Sequence, residues 1–153
     1  MQDLTMPARI DAEQYTVTRS VFIAASRERV WEAITVPEEI AKWFGQPARF
    51  NSLTVGADGS FGWEGYGEFP VRIEEVDEPA VFAFTWGTPG EPITPQNSTT
   101  ARFTLEEVDG GTLLTVVESG FADLADPADS MEDNRGGWDS ELDELVAYLT
   151  ESA

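Results

Sequence analysis

The chain has 153 residues, which suits a single domain, and 41% hydrophobic and 11% aromatic residues supply enough apolar material for a folded core. It carries 29 Asp and Glu against 9 Lys and Arg, a formal net charge of −20, so we expect neither nucleic acids nor membranes as partners. It has no Cys and no His, which excludes disulfides, thiolate nucleophiles, imidazole metal ligands and the Ser-His-Asp triad.

The N-terminal segment does not have the pattern of a targeting signal. Residues 1–19 combine charges with no apolar run, so a signal peptide is not expected. No apolar stretch approaches the roughly 20 residues that a membrane-spanning helix needs. We therefore predict a cytoplasmic protein and interpret residues 1–153 as one domain, with residues 1–14 as a loose N-terminal arm.

The first elements predicted along the chain are one strand and two helices. Apolar residues alternate from Tyr15 to Ile23, as is typical of a strand. Ser26 is a suitable N-cap for a first helix, and Pro37 fits the first turn of a second helix because its missing N–H is not needed there. The residues expected on the buried faces of the two helices are Val30, Trp31, Ala33, Ile34, Ile40, Trp43 and Phe44.

Short strands separated by turn residues follow. The predicted strands are 50–55, 60–64, 67–76, 81–86, 98–108 and 112–119. Between them lie hairpin signals rich in Gly, Asp and Pro at 56–59, 65–67, 77–79 and 109–111, which predict an antiparallel sheet. Loops are expected over 87–96, which contains three Pro, and over 122–133, which is rich in Asp, Ala and Pro.

The last predicted element is a long amphipathic helix. Its apolar residues recur at helical spacing and are Trp138, Leu142, Leu145, Val146 and Leu149. Its opposite face carries the acidic residues Asp139, Glu141, Asp143 and Glu144. The order is therefore a strand, two helices, a run of antiparallel strands and a C-terminal helix.

This order is similar to the helix-grip fold of the START-like (SRPBCC) superfamily, an α+β fold in which a curved antiparallel sheet wraps around a long C-terminal helix. The stretch VWEAITVPEEIAKWFG at 30–45 resembles the two-helix signature of the Aha1-like family, the homologues of the activator of the Hsp90 ATPase. Agreement continues in VFAFTW at 81–86, in GTLLTV at 111–116 with Gly120-Phe121, and in Gly137-Trp138 followed by Leu142 and Leu145. The resemblance covers about residues 16–149.

One residue departs from the family pattern. Members usually carry Asp just before the Pro that opens the second helix, whereas this chain has Val36. We expect Thr35 to take over part of the capping role.

The resemblance implies more about shape than about function. The co-chaperones that give the family its name engage Hsp90 through a separate N-terminal domain, which we expect this chain to lack. Relatives in the wider superfamily bind apolar small molecules, and a few catalyse reactions on them. We therefore interpret the chain as a domain that binds a small apolar molecule in a cavity between the sheet and the C-terminal helix, with no cofactor.

Two alternatives stay open at this point. One is a co-chaperone-like or adaptor protein, with Hsp90 as a partner. The other is an enzyme that acts on an apolar substrate with Glu118 as acid or base, although a role without catalysis is favoured. A homodimer is also left open.

Strand alternation selects the candidate residues of the cavity. On the last strand Leu114, Val116 and Glu118 share a face, and the family pattern suggests that this face points toward the C-terminal helix. Glu118 would then place a carboxylate near the mouth, although a solvated position at the strand end is the plainer alternative. The candidate cavity residues are Trp63, Phe69, Phe84, Trp86, Phe103, Leu114, Val116, Glu118, Trp138 and Leu142.

Other candidate sites are not favoured. Arg72 and Arg102 are suited to bind a ligand carboxylate, but outward ion pairs with surface acids are the better interpretation in so acidic a chain. The glycines between 56 and 67 have neither dinucleotide-binding nor P-loop spacing. The acidic residues of 123–133 fit no EF-hand loop, so no metal site is predicted.

Overall fold

One antiparallel sheet of eight strands runs through residues 5–151, the part of the chain that the computed structural model describes. The strands are β1 (Arg9–Asp11), β2 (Thr16–Ile23), β3 (Ala48–Phe50), β4 (Asp58–Trp63), β5 (Gly67–Asp77), β6 (Val81–Trp86), β7 (Thr99–Val108) and β8 (Gly111–Ser119). Their order in the sheet is β1-β2-β8-β7-β6-β5-β4-β3, so a meander from β3 to β8 returns to pair with β2. The sheet curves around the C-terminal helix, and the predicted helix-grip fold is confirmed.

The three helices are α1 (Arg27–Thr35), α2 (Pro37–Trp43) and α3 (Pro127–Glu151), with a 3₁₀ turn at Phe121–Asp123. The Ser26 side chain accepts the Arg29 backbone N–H at 3.1 Å, which confirms the predicted N-cap of α1. Val36, at the start of α2, makes no capping bond through its side chain. The expectation that Thr35 caps this helix is wrong, because its hydroxyl donates back to the Trp31 carbonyl at 2.7 Å.

Two segments have a secondary structure that differs from the prediction: the strand expected over 50–55 and the loop expected over 122–133. The strand expected over 50–55 ends at Phe50, since pairing with β4 stops there and the hydroxyls of Ser52 and Thr54 bond to each other at 2.7 Å. Short polar side chains of this kind compete with the hydrogen bonds of a sheet. The loop expected over 122–133 gives way to α3 at Pro127, a residue suited to the first helical position. Met131, in that segment, is buried.

The N-terminal arm is partly ordered into the sheet. Residues 1–4 lie outside the described residues, but Arg9–Asp11 forms an edge strand with Thr16–Thr18. The Ala8 backbone N–H donates to the Asp139 carboxylate of α3 at 2.7 Å. The expectation of a loose arm is therefore wrong for residues 8–11, because the backbone there finds partners in both β2 and α3.

Arg19 connects β2 to α3 from inside the fold. Its side chain is 6% exposed, and its guanidinium donates to the carbonyl oxygens of Trp138 at 3.2 Å and Asp139 at 2.7 Å. The same group forms an ion pair with the Asp143 carboxylate at 2.7 Å. A buried guanidinium needs several acceptors, and α3 supplies them.

The main core lies between the sheet and α3. Leu114 and Val116 of β8 are fully buried, as are Leu142 and Leu145 of α3, so the predicted inward faces are confirmed. The long helix remains acidic on its outer side. No helix within the described residues is long and apolar enough to cross a membrane.

Trp138 joins α3 to the sheet side of this core. It is 2% exposed, and its ring stacks on Phe44 at a centroid distance of 5.7 Å and meets Phe103 edge-on at the same distance. Truncating a buried aromatic side chain removes its burial and leaves a cavity.

We expect Trp138→Ala to lower the free energy of unfolding by roughly 3–5 kcal/mol, measured by urea denaturation. Trp63→Ala is the matched control, because Trp63 lies at the end of β4, is only partly buried and has no ring contact with α3. The loss of unfolding free energy in Trp63→Ala should be clearly smaller than that in Trp138→Ala. Equal losses for the two variants would contradict the packing of α3 described above.

Candidate functional site

A pocket of about 550 Å³ opens at one end of the molecule, between α3 and the ends of β4, β5 and β6. Its aromatic walls are formed by Phe44, Trp63, Tyr66, Phe69, Trp86, Phe121 and Trp138. Tyr66 stands at the rim and is 75% exposed, on the turn between β4 and β5. Its neighbours Gly65 and Gly67 have φ of 86° and 90°, which side chains rarely tolerate, so the predicted hairpin signal is confirmed here.

One face of α3 supplies polar residues to the pocket, in addition to Asn97, Ser98 and Thr99 on the sheet side. The α3 residues that line it are Ser130, Asp133, Asn134, Gly137, Trp138 and Glu141. They recur at three- and four-residue spacing, so they share one side of the helix. The first part of this face was not predicted, because residues 122–133 have the composition of a loop.

Phe44, the residue that follows α2, organises the indole rings of the wall. It stacks on Trp138 at 5.7 Å with an interplanar angle of 10°, and on Trp86 at 5.6 Å with an angle of 26°. Trp63 meets the same ring edge-on at 5.0 Å. Phe44 was predicted only as a buried residue of the second helix, and nothing local in the sequence indicates that three indoles converge on it.

The carboxylate of Glu118 lies behind this wall at the end of β8 and is fully buried. The indole N–H groups of Trp138 and Trp86 donate to it at 2.8 and 3.1 Å, and the Thr99 hydroxyl donates at 2.5 Å. The Asn134 amide lies 3.0 and 2.8 Å from its two oxygens. All four donors are neutral. Among these partners, the buried carboxylate is therefore satisfied by hydrogen bonds and not by an ion pair.

Burial and hydrogen bonding act on Glu118 in opposite directions. Burial disfavours the charged form and raises its pKa above the ordinary range, while the bonds from Thr99, Trp138, Asn134 and Trp86 favour the charged form and oppose the rise. Burial is the larger effect. The solvated position at the strand end that the sequence left open is therefore wrong, and the inward position is confirmed.

Glu141 is one of two carboxylates, with Asp133, that line the pocket. Its Oε2 atom is buried and has no hydrogen-bond partner in the described part of the chain. Burial, and secondarily the negative charge of Glu144, raise its pKa to about 7. Glu141 was predicted only on an acidic outer face of the helix, although its spacing of three from Trp138 and seven from Asn134 is a usable signal for the pocket face.

The structure separates the ten candidate cavity residues into three groups. The pocket is lined by Trp63, Phe69, Trp86 and Trp138. Glu118 holds two of these indoles from behind. The closed core, away from the pocket wall, contains Phe84, Phe103, Leu114, Val116 and Leu142. The predicted inward face of Leu114 and Val116 is correct, but all five residues lie away from the strand ends at which the pocket opens.

Arg72 and Arg102 lie on the outer face of the sheet. Arg72 forms an ion pair with Glu74 at 3.0 Å, and Arg102 forms one with Glu75 at 2.9 Å. The outward interpretation is confirmed, and neither guanidinium is a partner of Glu118. Among residues 5–151, no group of three or more acidic side chains is arranged to hold a metal ion.

We expect a site-resolved NMR titration to show Glu118 ionising at a pKa above that of an ordinary glutamate. The native state then holds this proton more tightly than the unfolded chain does. The contribution of Glu118 to stability is therefore largest below the unfolded pKa of about 4.3 and is lost as the pH rises through the folded pKa.

Glu118→Gln should remove this pH-dependent contribution and still fold, because an amide can accept the Trp138 N–H with its oxygen and donate to Thr99 with its nitrogen. Glu106→Gln, on the exposed face of β7, is the matched control for the loss of one carboxylate. A Glu118 carboxyl that titrates like an exposed glutamate would contradict the buried arrangement.

Comparisons with known proteins agree with this architecture. The protein MLL2253 from Mesorhizobium loti superimposes with a TM-score of 0.79 at 22% identity, over 90% of this chain and 98% of that chain. A protein from Arthrobacter aurescens superimposes with a TM-score of 0.77 at 20% identity, over 95% of this chain and 92% of that chain. The Aha1 dimer from Colwellia psychrerythraea superimposes with a TM-score of 0.70 at 21% identity, over 88% of this chain and 95% of that chain. At these identities the likeness shows the fold alone.

The sequence itself gives the family. No curated protein matches it significantly. The family model described as activator of Hsp90 ATPase homolog 1-like protein, however, matches residues 24–150, which is most of the chain. The chain therefore belongs to the activator of Hsp90 ATPase homolog 1-like family.

Proposed function

We propose that this chain binds a small, largely apolar molecule in the pocket between α3 and the ends of β4, β5 and β6. The observation that carries the proposal is the pocket itself, with a volume of about 550 Å³ and mainly aromatic walls. Small-molecule sites typically enclose roughly 300–1,000 Å³ and combine apolar walls with a few placed polar groups. Asn134 and Glu141 supply such groups on the α3 side.

The fixed position of the walls supports this proposal. Trp86 and Trp138 are held by ring stacking on Phe44 in front and by hydrogen bonds to Glu118 behind. A side chain that is already immobilised loses little conformational entropy when a ligand arrives. The indole walls are therefore suited to bind an apolar body without rearrangement.

The alternative of an enzyme with Glu118 as acid or base receives less support. The oxygens of Glu118 are enclosed by four donors and the side chain is fully buried. We assign it a positioning role for the pocket walls instead. The co-chaperone alternative with Hsp90 as partner rests on family membership, whereas the pocket favours ligand binding.

Two adjacent glycines of α3 allow a sharp test. Gly137 lines the pocket, and a Cβ added there would meet nothing within 4 Å, so Gly137→Leu should place its side chain in the empty volume. Gly136 also has free space around an added Cβ, but it does not line the pocket. Both substitutions replace a poor helix former with a good one, so both variants should remain folded.

The probe is N-phenylnaphthylamine, a neutral dye whose fluorescence rises in apolar surroundings. We expect it to bind the parent chain and Gly136→Leu equally, and to bind Gly137→Leu at least about tenfold more weakly because the side chain occupies the site. Binding that is unaffected in Gly137→Leu, or no binding to the parent chain, would contradict the proposal.

A homodimer is our second proposal, supported by the Aha1 dimer from Colwellia psychrerythraea among the similar structures. Two copies of a chain with a net charge of −20 repel each other, and salt screens that repulsion. We expect sedimentation velocity to show a dimer whose fraction rises between dilute buffer and about 1 M NaCl. A monomer in both conditions would overturn this proposal and would leave the ligand proposal unaffected.

A further inference from the structure

We propose that the pocket selects ligands that carry a protonated amine on their apolar body, and that Glu141 pairs with the ammonium group. This inference rests on the proposed function, since it names the ligand class of the same pocket. Three independent features of the described residues carry it: an unpaired acceptor, the charge of the wall and the aromatic character of the wall.

The unpaired acceptor is the Oε2 atom of Glu141. The atom is buried and finds no hydrogen-bond donor among the described residues, and Glu141 is one of the residues that line the pocket. A buried polar atom is usually paired, and an ionised carboxylate can only accept hydrogen bonds. A ligand with N–H groups would therefore supply the hydrogen-bond donor that this oxygen lacks among the described residues.

The donors at the base of the pocket are already engaged within the protein. The N–H groups of Trp86 and Trp138 and the amide of Asn134 donate to Glu118. The Asn97 amide donates to the Pro92 carbonyl, and the Ser98 hydroxyl donates to the Thr94 carbonyl. Glu118 thus withdraws the N–H groups of Trp86, Trp138 and Asn134 from the ligand, whereas the Glu141 carboxylate keeps an acceptor without a partner among the described residues.

The charge of the wall has a single sign. Asp133 and Glu141 line the pocket, and no Lys or Arg stands among its described lining residues. The basic residue of α3 near this face, Arg135, forms ion pairs with Glu132 and Asp139 instead. An anionic ligand would be repelled here, whereas a cation would be attracted, also by the net charge of −20.

The aromatic walls favour the same ligand class. Trp63, Trp86 and Trp138 all contribute to the pocket, with Tyr66 at the rim. The faces of indole and phenol rings attract cations through their negative electrostatic potential, and this attraction is stronger where water is excluded. Several indoles next to one carboxylate therefore suit an ammonium group better than a neutral hydroxyl group.

The test compares three probes of nearly the same shape: naphthylethylamine, naphthylethanol and naphthylacetic acid, which are cationic, neutral and anionic. Isothermal titration calorimetry at about pH 8 keeps Glu141 mostly ionised, since its pKa is about 7. We expect the amine to bind about tenfold more tightly than the alcohol, and the acid to bind most weakly.

Glu141→Gln should weaken the binding of the amine by about tenfold and leave the affinity for the alcohol nearly unchanged. Glu106→Gln is the matched control, because it removes the same charge from an exposed position of β7 that does not line the pocket, and it should change all three affinities little. Circular dichroism checks that both variants are folded.

The outcomes separate the two proposals. Equal binding of amine and alcohol, tighter binding of the acid, or an equal effect of Glu141→Gln on all three probes would overturn amine selection. Amine selection also fails if the amine does not bind although N-phenylnaphthylamine does. In each of these cases N-phenylnaphthylamine binding that is lost in Gly137→Leu would still support a pocket for apolar molecules. No binding of any probe would overturn both.

Discussion

The buried carboxylate of Glu118 joins four elements of the fold at one point. Glu118 is the penultimate residue of β8, and its oxygens receive hydrogen bonds from Trp86 of β6, Thr99 of β7, and Asn134 and Trp138 of α3. Burying a carboxylate is costly unless its hydrogen-bonding capacity is filled, so the four donors and the acceptor constrain each other's positions. The site depends on this constraint, because two of the four donors are indole walls of the pocket.

A second polar contact holds the same part of α3 against the sheet. Arg19 of β2 donates to the carbonyls of Trp138 and Asp139 and pairs with Asp143, so a buried cation holds the outer side of the same helical turn. Between the two contacts, Trp138 is fixed through its backbone by Arg19 and through its ring by Glu118 and Phe44. A short segment of α3 therefore receives most of the polar contacts that set the helix against the sheet.

This arrangement also determines the chemistry that the pocket presents. Glu118 takes up N–H groups of the pocket residues, while Glu141, seven residues after Asn134 on α3, keeps a buried oxygen without a partner in the part of the chain that the structure describes. The two carboxylates have different roles. One orders the walls, and the other leaves an acceptor among aromatic rings, which is the basis of the inferred preference for an amine.

The sequence by itself determined the order of elements and the inward faces of the strands, because alternation and helical spacing are local properties: Leu114, Val116 and Glu118 were assigned inward from spacing and family pattern alone. Tertiary structure decided the rest. The donors to Glu118 lie 16 to 32 residues away in the chain, and the depth of Phe84 or Leu142 relative to the pocket depends on how far each strand or helix extends. Local composition also assigned residues 127–133 to a loop, whereas packing of Met131 and the hydrogen bonds of Asn134 favour a helix there, and that helix supplies the polar wall of the pocket.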